Sequence, residues 1–197
     1  MNYLVVDFEF TFYKRPVGRP RAFFPEIIEV GAVKLSGEDL QESGKLQNFV
    51  KPHFFPKHAK DAMDFCMITD KDMKKGIEFP VMLEKLANMY EAGKTLFVAW
   101  GDSDYKVLAQ GCERHKLENP IREEDYLDLA EAYKIWTGAE NTPGLKAAIE
   151  DLEVGANGLA HTAFDDAYNT GKVLVKMLEK GWIHEAYLQA KEAQQNK

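Results

Sequence analysis

A chain of 197 residues, 45% of them hydrophobic and 12% aromatic, is sized for one domain with a sizeable core. That excludes a multidomain assembly, a disordered chain and collagen-like or coiled-coil architectures. The 25 Lys and Arg against 32 Asp and Glu leave a net charge of −7, which argues against a broad grip on phosphate backbones and against polybasic membrane binding.

Residues 3–10 form the first apolar run of β-type residues, ending in Asp7-Phe8-Glu9-Phe10-Thr11. With residues 26–35 (EIIEVGAVKL) and 46–51 (LQNFVK) they give three early strand candidates. Gly37 and Gly44 punctuate the second link, so an antiparallel meander is expected. The first link, residues 14–24 (KRPVGRPRAFF), carries Lys14, Arg15, Arg19 and Arg21 and reads as a cationic surface loop. After Pro52 the spacing becomes helical, with Leu83, Leu86, Ala87 and Tyr90 predicting a helix over residues 79–93. The fully apolar residues 95–100 (TLFVAW) fit a buried parallel strand, followed by a helix over 103–116 with Asp102 or Ser103 as its cap. Residues 126–129 suggest a short strand, 142–152 a helix opened by Pro143-Gly144, and 164–180 and 182–193 two closing helices. The expectation is a mixed α/β domain over residues 1–180, with 181–197 a C-terminal helical extension packed on it or trailing from it.

Two cysteines, Cys66 and Cys112, are too few for a disulfide scaffold or a four-thiolate zinc site. They read as small core residues in a reducing cytoplasm. The first seven residues lack a basic region ahead of an apolar stretch, and no apolar run approaches roughly 20 residues. Neither a signal peptide nor a membrane span is expected.

Residues two apart on a strand share a face, so Asp7 and Glu9 aim together while Phe8 and Phe10 point the other way. Two carboxylates crowded at the end of an apolar strand repel each other unless a cation neutralises them, and hard oxygen ligands select Mg²⁺ or Mn²⁺ over zinc. The ordinary reading, with Asp7 closing the strand and Glu9 exposed, remains open for this motif alone. Asp102 and Asp104 follow the second apolar strand, one as a helix cap and the other free for a ligand role. In His161-Thr162-Ala163-Phe164-Asp165-Asp166, a loop histidine can lean over acids in the first helical turn and take a proton from a water there.

Asp-x-Glu on the first strand, Asp after a buried strand and His-x4-Asp on a late helix come in the order of the DEDDh 3′-5′ exonucleases. The chain resembles that superfamily, to which RNase T and the proofreading exonuclease of bacterial DNA polymerase III belong. Phe24-Pro25-Glu26-Ile27-Ile28-Glu29-Val30-Gly31, Trp100-Gly101-x-x-Asp104-x-Lys106-Val107-Leu108 and His161-x-x-x-Asp165-Asp166-Ala167 look like its KapD-type members, relatives of animal exonucleases that trim small RNAs and histone mRNA ends. The resemblance runs from about residue 3 to 178. It implies a ribonuclease H-like sheet with helices on both faces and Asp7, Glu9, Asp104 and Asp166 as ligands of two Mg²⁺ or Mn²⁺ ions. It further implies His161 as general base, Asp165 as a supporting acid, and Phe10 and Thr11 in contact with the terminal nucleotide. Where many relatives carry Leu-Thr-Gly-Ile, this chain has Phe65-Cys66-Met67-Ile68.

The expected reaction is hydrolysis of the 3′-terminal phosphodiester of single-stranded nucleic acid, RNA somewhat favoured over DNA, to nucleoside 5′-monophosphates. One ion would activate the attacking water and the other stabilise the leaving oxygen. Two divalent cations would also bring the net charge from −7 to −3. Two other readings are an exonuclease fold serving as a nucleic-acid-binding module and an aspartyl-phosphate phosphatase built on Asp7-x-Glu9-x-Thr11.

Overall fold

The computed structural model describes residues 1–13 and 18–195. Five strands, β1 (Asn2–Phe10), β2 (Ile27–Leu35), β3 (Glu42–Phe49), β4 (Thr95–Ala99) and β5 (Tyr126–Asp128), form one sheet in the order β3-β2-β1-β4-β5. The expected meander is present, since β1 pairs antiparallel with β2 and β2 with β3. β4 lies parallel to β1, and β5 parallel to β4. This is a ribonuclease H-like mixed sheet, and its antiparallel half does not suit the all-parallel phosphatase alternative.

Eight helices accompany the sheet among the described residues: α1 (Lys60–Phe65), α2 (Asp70–Lys75), α3 (Phe79–Ala87), α4 (Ser103–His115), α5 (Leu129–Thr137), α6 (Leu145–Asp151), α7 (Ala163–Glu179) and α8 (His184–Gln195). The alternation along β1 sorts them into two layers. Leu4, Val6 and Phe8 pack with Phe79, Leu83 and Leu86 of α3 and Val107 and Leu108 of α4. Val5 faces the opposite way, onto Leu129 and Tyr133 of α5, Ile149 of α6 and Val173, Leu174 and Met177 of α7. Trp182 and Tyr187 join that second cluster, so α8 is packed against the sheet domain.

The predicted 79–93 helix stops at Ala87, the strand read at 126–129 ends at Asp128, and α5, which was not expected, starts at Leu129. Its start carries a recognisable cap, because the Asp128 side chain accepts the Glu131 N–H at 3.0 Å.

Candidate active site

Asp7 and Glu9 lie on the β1 face that meets α7. Opposite them on β2 stand Gly31 and Glu29 respectively, and a bulge interrupts the pairing just beyond Glu9. A bulge bends and twists the strand it interrupts, re-aiming side chains at its end. Gly31 sets the approach of α7: a Cβ there would lie 2.1 Å from the Ala163 carbonyl carbon, so the start of α7 sits directly on β2. The Ala163 N–H points at Glu29 Oε2, 3.3 Å away. This contact brings the 155–161 loop and the first turn of α7 over the end of β1.

In that turn Asp166 Oδ2 accepts the His161 N–H at 2.9 Å, and Asp165 Oδ2 accepts the Leu159 N–H at 3.0 Å. His161 takes a left-handed backbone (φ 65°), a costly conformation for a residue with a Cβ, and both carboxylates help to hold the loop there. Gly158 is doubly constrained, by φ +67° and by the Asp165 carboxyl group 2.0 Å from where a Cβ would stand. Ligand atoms of Glu9, His161 and Asp166 then fall within 4.8 Å of one another.

Asp104 completes the cluster from the other side. β1 outruns β4, whose last pairing with it is Val5 to Val98. The Phe8 N–H beyond that point is taken by Asp104 Oδ1 at 2.8 Å. Asp104 is buried, whereas Asp102 is exposed and paired with Lys106.

The four acids carry the electrostatic signature of crowding. Burial, followed by repulsion from Asp104, Glu9 and Asp166, holds the Asp7 carboxyl well above its ordinary value. Burial pushes Asp104 up to about 7 despite the Phe8 hydrogen bond. Glu9 and Asp166 are raised by burial too, and His161 moderates both. No lysine or arginine pairs with any of these acids among the described residues. Hard, mutually repelling oxygen donors with no protein cation nearby are a donor set that fits Mg²⁺ or Mn²⁺.

Phe10, half-buried at the strand end, packs against the α3–α4 layer, on the face opposite Glu9 and away from the carboxylates it was expected to flank. Thr11 is wholly buried, its Oγ1 accepting the Glu26 N–H at 2.9 Å and its own N–H donating to the Glu26 carbonyl at 2.8 Å, so its hydroxyl does not enter the cleft. Arg19 and Arg21 are exposed, while Lys14 and Arg15 of the same cationic loop lie outside the described residues. Phe65 is 49% exposed and rests its ring 4.6 Å from that of His161. Met67 has φ 58°, a left-handed backbone at the position of the glycine in the Leu-Thr-Gly-Ile turn that the resemblance leads us to expect.

Two contributors escaped the sequence reading. Cys66, taken there as a core residue, donates its S–H to Glu9 Oε2 at 2.9 Å. Glu29, directly across from Glu9, is 2% exposed and pushed up to about 7 by burial. An acid in the middle of the apolar run IIEVGAV was the available cue for the latter. A cavity of about 920 Å³ opens beside Asp7, His161 and Asp166 and is walled on its far side by Trp100 and α6.

The sequence matches the RNase T family, described as Exonuclease, over residues 4–174. It is 35% identical over 179 residues to the probable 3′-5′ exonuclease KapD of Bacillus subtilis, covering 90% of this chain and 84% of that protein. It is 24% identical to 3′-5′ exoribonuclease 1 of Mus musculus, matching 90% of this chain but only about half (53%) of the longer mouse protein. The solved nuclease domain of 3′hExo, a DEDDh family member bound to rAMP, shares the fold with a TM-score of 0.78 at 24% identity, over 92% of this chain and 93% of that one. With the acids and histidine of the motif set gathered at one end of a ribonuclease H-like sheet, the chain belongs to the RNase T family of exonucleases.

Proposed function

We propose that the chain hydrolyses the 3′-terminal phosphodiester of single-stranded nucleic acid, releasing nucleoside 5′-monophosphates. The observation that carries this reading is the convergence of Glu9, His161 and Asp166 donor atoms within 4.8 Å, beside Asp7 and the buried Asp104. Asp7, Glu9, Asp104 and Asp166 would hold two Mg²⁺ or Mn²⁺ ions, which would neutralise the cluster, lower the pKa of the attacking water and stabilise charge on the leaving oxygen.

The remaining work falls to the chain itself. His161 accepts the proton of the attacking water, and its backbone N–H holds Asp166 in position. Cys66 orients one oxygen of Glu9. The P–O3′ bond breaks as water oxygen bonds to phosphorus, and the departing O3′ ends as a hydroxyl. The exposed Phe65 borders the terminal nucleotide, while Thr11 pins the strand end to Glu26. RNA is the favoured substrate, a reading supported by the relative named an exoribonuclease.

The test is shortening of 5′-labelled single-stranded RNA and DNA with Mn²⁺ or Mg²⁺ and in EDTA. Stepwise loss of 3′ nucleotides as 5′-monophosphates is expected with metal alone, and Asp7→Ala and Asp166→Ala should abolish it. Binding of oligonucleotide without shortening under any metal would favour the binding-module reading.

A further inference from the structure

The carboxylates have differently built surroundings on their two sides. On the Glu9 side stand Phe65, whose ring lies against His161, and Cys66, bonded to Glu9, where the proposed function puts the terminal nucleotide. On the Asp7 and Asp166 side the cavity continues to about 920 Å³, between Trp100, α6 and the 155–160 loop. Pockets of ~300–1,000 Å³ enclose drug-sized ligands, so this space holds far more than a reacting phosphate. The chemistry described above uses its Asp7, His161 and Asp166 edge and leaves the Trp100 and α6 end unused.

Its walls have a definite character. Trp100 has already committed its indole N–H to the Pro143 carbonyl at 3.2 Å and leans on Tyr133 at 5.9 Å between ring centroids. It therefore offers the cavity a fixed ring surface rather than a donor. Leu145 and Ile149 of α6 supply an apolar wall, and Lys146 stands between them in sequence with its side chain 90% exposed. Its ion pair with Glu150 is long, at 3.9 Å, and solvent-exposed, so the ammonium group can turn to a better anion at little cost. A ring face with an apolar wall suits a nucleobase, and a single ammonium group suits one phosphate.

We propose that this cavity is the subsite for the nucleotide immediately upstream of the scissile bond. Its base stacks on Trp100 beside Leu145 and Ile149, and the phosphate on its 5′ side meets Lys146. The inference rests on the exonuclease reading and on the terminal nucleotide lying on the Phe65 side. Anchoring this nucleotide matters because its O3′ is the leaving group, and fixing a leaving group relative to the attacking water is a direct source of rate.

The experiment compares a dinucleotide lacking a 5′-phosphate with the matched trinucleotide, since only the trinucleotide carries the phosphate that Lys146 would contact. Steady-state kinetics would be measured for the wild-type protein, Lys146→Gln, Trp100→Ala and Trp100→Phe, with thermal unfolding of each. Lys146→Gln is expected to lower the trinucleotide-to-dinucleotide ratio of kcat/KM about fivefold. It should also flatten the salt dependence of log KM on a longer single strand by about 0.7. Trp100→Ala should raise KM for both substrates roughly tenfold, the worth of one base stacked on an aromatic ring, and Trp100→Phe should recover most of that loss. An unchanged ratio in Lys146→Gln, or equal losses on the two substrates, would overturn the phosphate contact. A folded Trp100→Phe as impaired as Trp100→Ala would overturn the stacking. If the wild-type protein shortens neither substrate with metal, the exonuclease reading itself falls; if it shortens both and the variants behave like wild type, only the subsite does.

Discussion

Among single residues, burial separates two aspartates that stand two apart. Asp104 is 5% exposed and bonded to the Phe8 N–H, whereas Asp102 is exposed and occupied by Lys106. Asp104→Ala is therefore expected to abolish metal-dependent shortening of an oligonucleotide, and Asp102→Ala to leave it nearly intact. The reverse result in a side-by-side assay would reassign the ligand. His161 is held by backbone geometry and by Asp166 rather than by packing of its own side chain into the core. Removing its ring should thus cost turnover and little stability: His161→Ala is expected to lower kcat by roughly 10² or more while thermal unfolding stays close to wild type. An equal loss of stability and rate would mark a structural role instead.

Between elements, the decisive contact is α7 on β2 at Gly31. The atoms a Cβ would meet there are backbone atoms of Ala163 and Phe164, which cannot turn aside as a flexible side chain can. Gly31→Ala must push the start of α7 off the sheet, carrying Asp166 and His161 away from Asp7 and Glu9. The expected cost is about 3 kcal/mol or more, a drop of roughly 10 °C in Tm for a chain of this size, accompanied by loss of nuclease activity. A Gly31→Ala protein with wild-type Tm and activity would refute this account. This close approach was legible only in part: the glycine stands out in the apolar run IIEVGAV, but nothing in its neighbours says that a helix 130 residues later lands on it.

Across the molecule, the buried acids make stability depend on pH and metal together. Asp104 and Glu29 are both pushed up to about 7, against ordinary values near 4. Between those limits the folded protein keeps protons that the unfolded chain gives up. Their stabilising contribution is thus whole below about pH 4 and is lost as pH rises through about 7, at up to about 1.4 kcal/mol per group per pH unit. In EDTA, Tm is expected to fall from pH 5 to pH 8; Mg²⁺ should restore it at pH 8, and Asp104→Asn should weaken the fall. A flat profile without metal would show that the cluster carries no such strain. The C-terminal helix belongs to the same whole. Trp182 and Tyr187 are buried in the α5–α7 layer, and the Tyr187 hydroxyl donates to Glu131 Oε2 at 2.9 Å. Ending the chain after Lys180 should lower Tm by roughly 10 °C, because two large aromatic burials are lost together; an unchanged Tm would make residues 181–197 a trailing extension.

The sequence by itself determined the sheet's meander, the parallel strand β4, the main helices and the motif set, because each of these is written in short-range periodicity and spacing. It identified Asp7 and Glu9 as sharing a face, since the two-residue period of a strand is local. It left Asp102 and Asp104 as alternatives on spacing alone, and the family resemblance favoured Asp104. Only the tertiary structure decided which of them is buried, because burial depends on β1 outrunning β4 and leaving the Phe8 N–H to be capped. It alone placed Cys66 against Glu9, Phe65 against His161 and Trp100 on the wall of a cavity reaching the carboxylates. Those contacts join residues 57 to 96 positions apart, and only packing of the α-helices on the sheet brings them together.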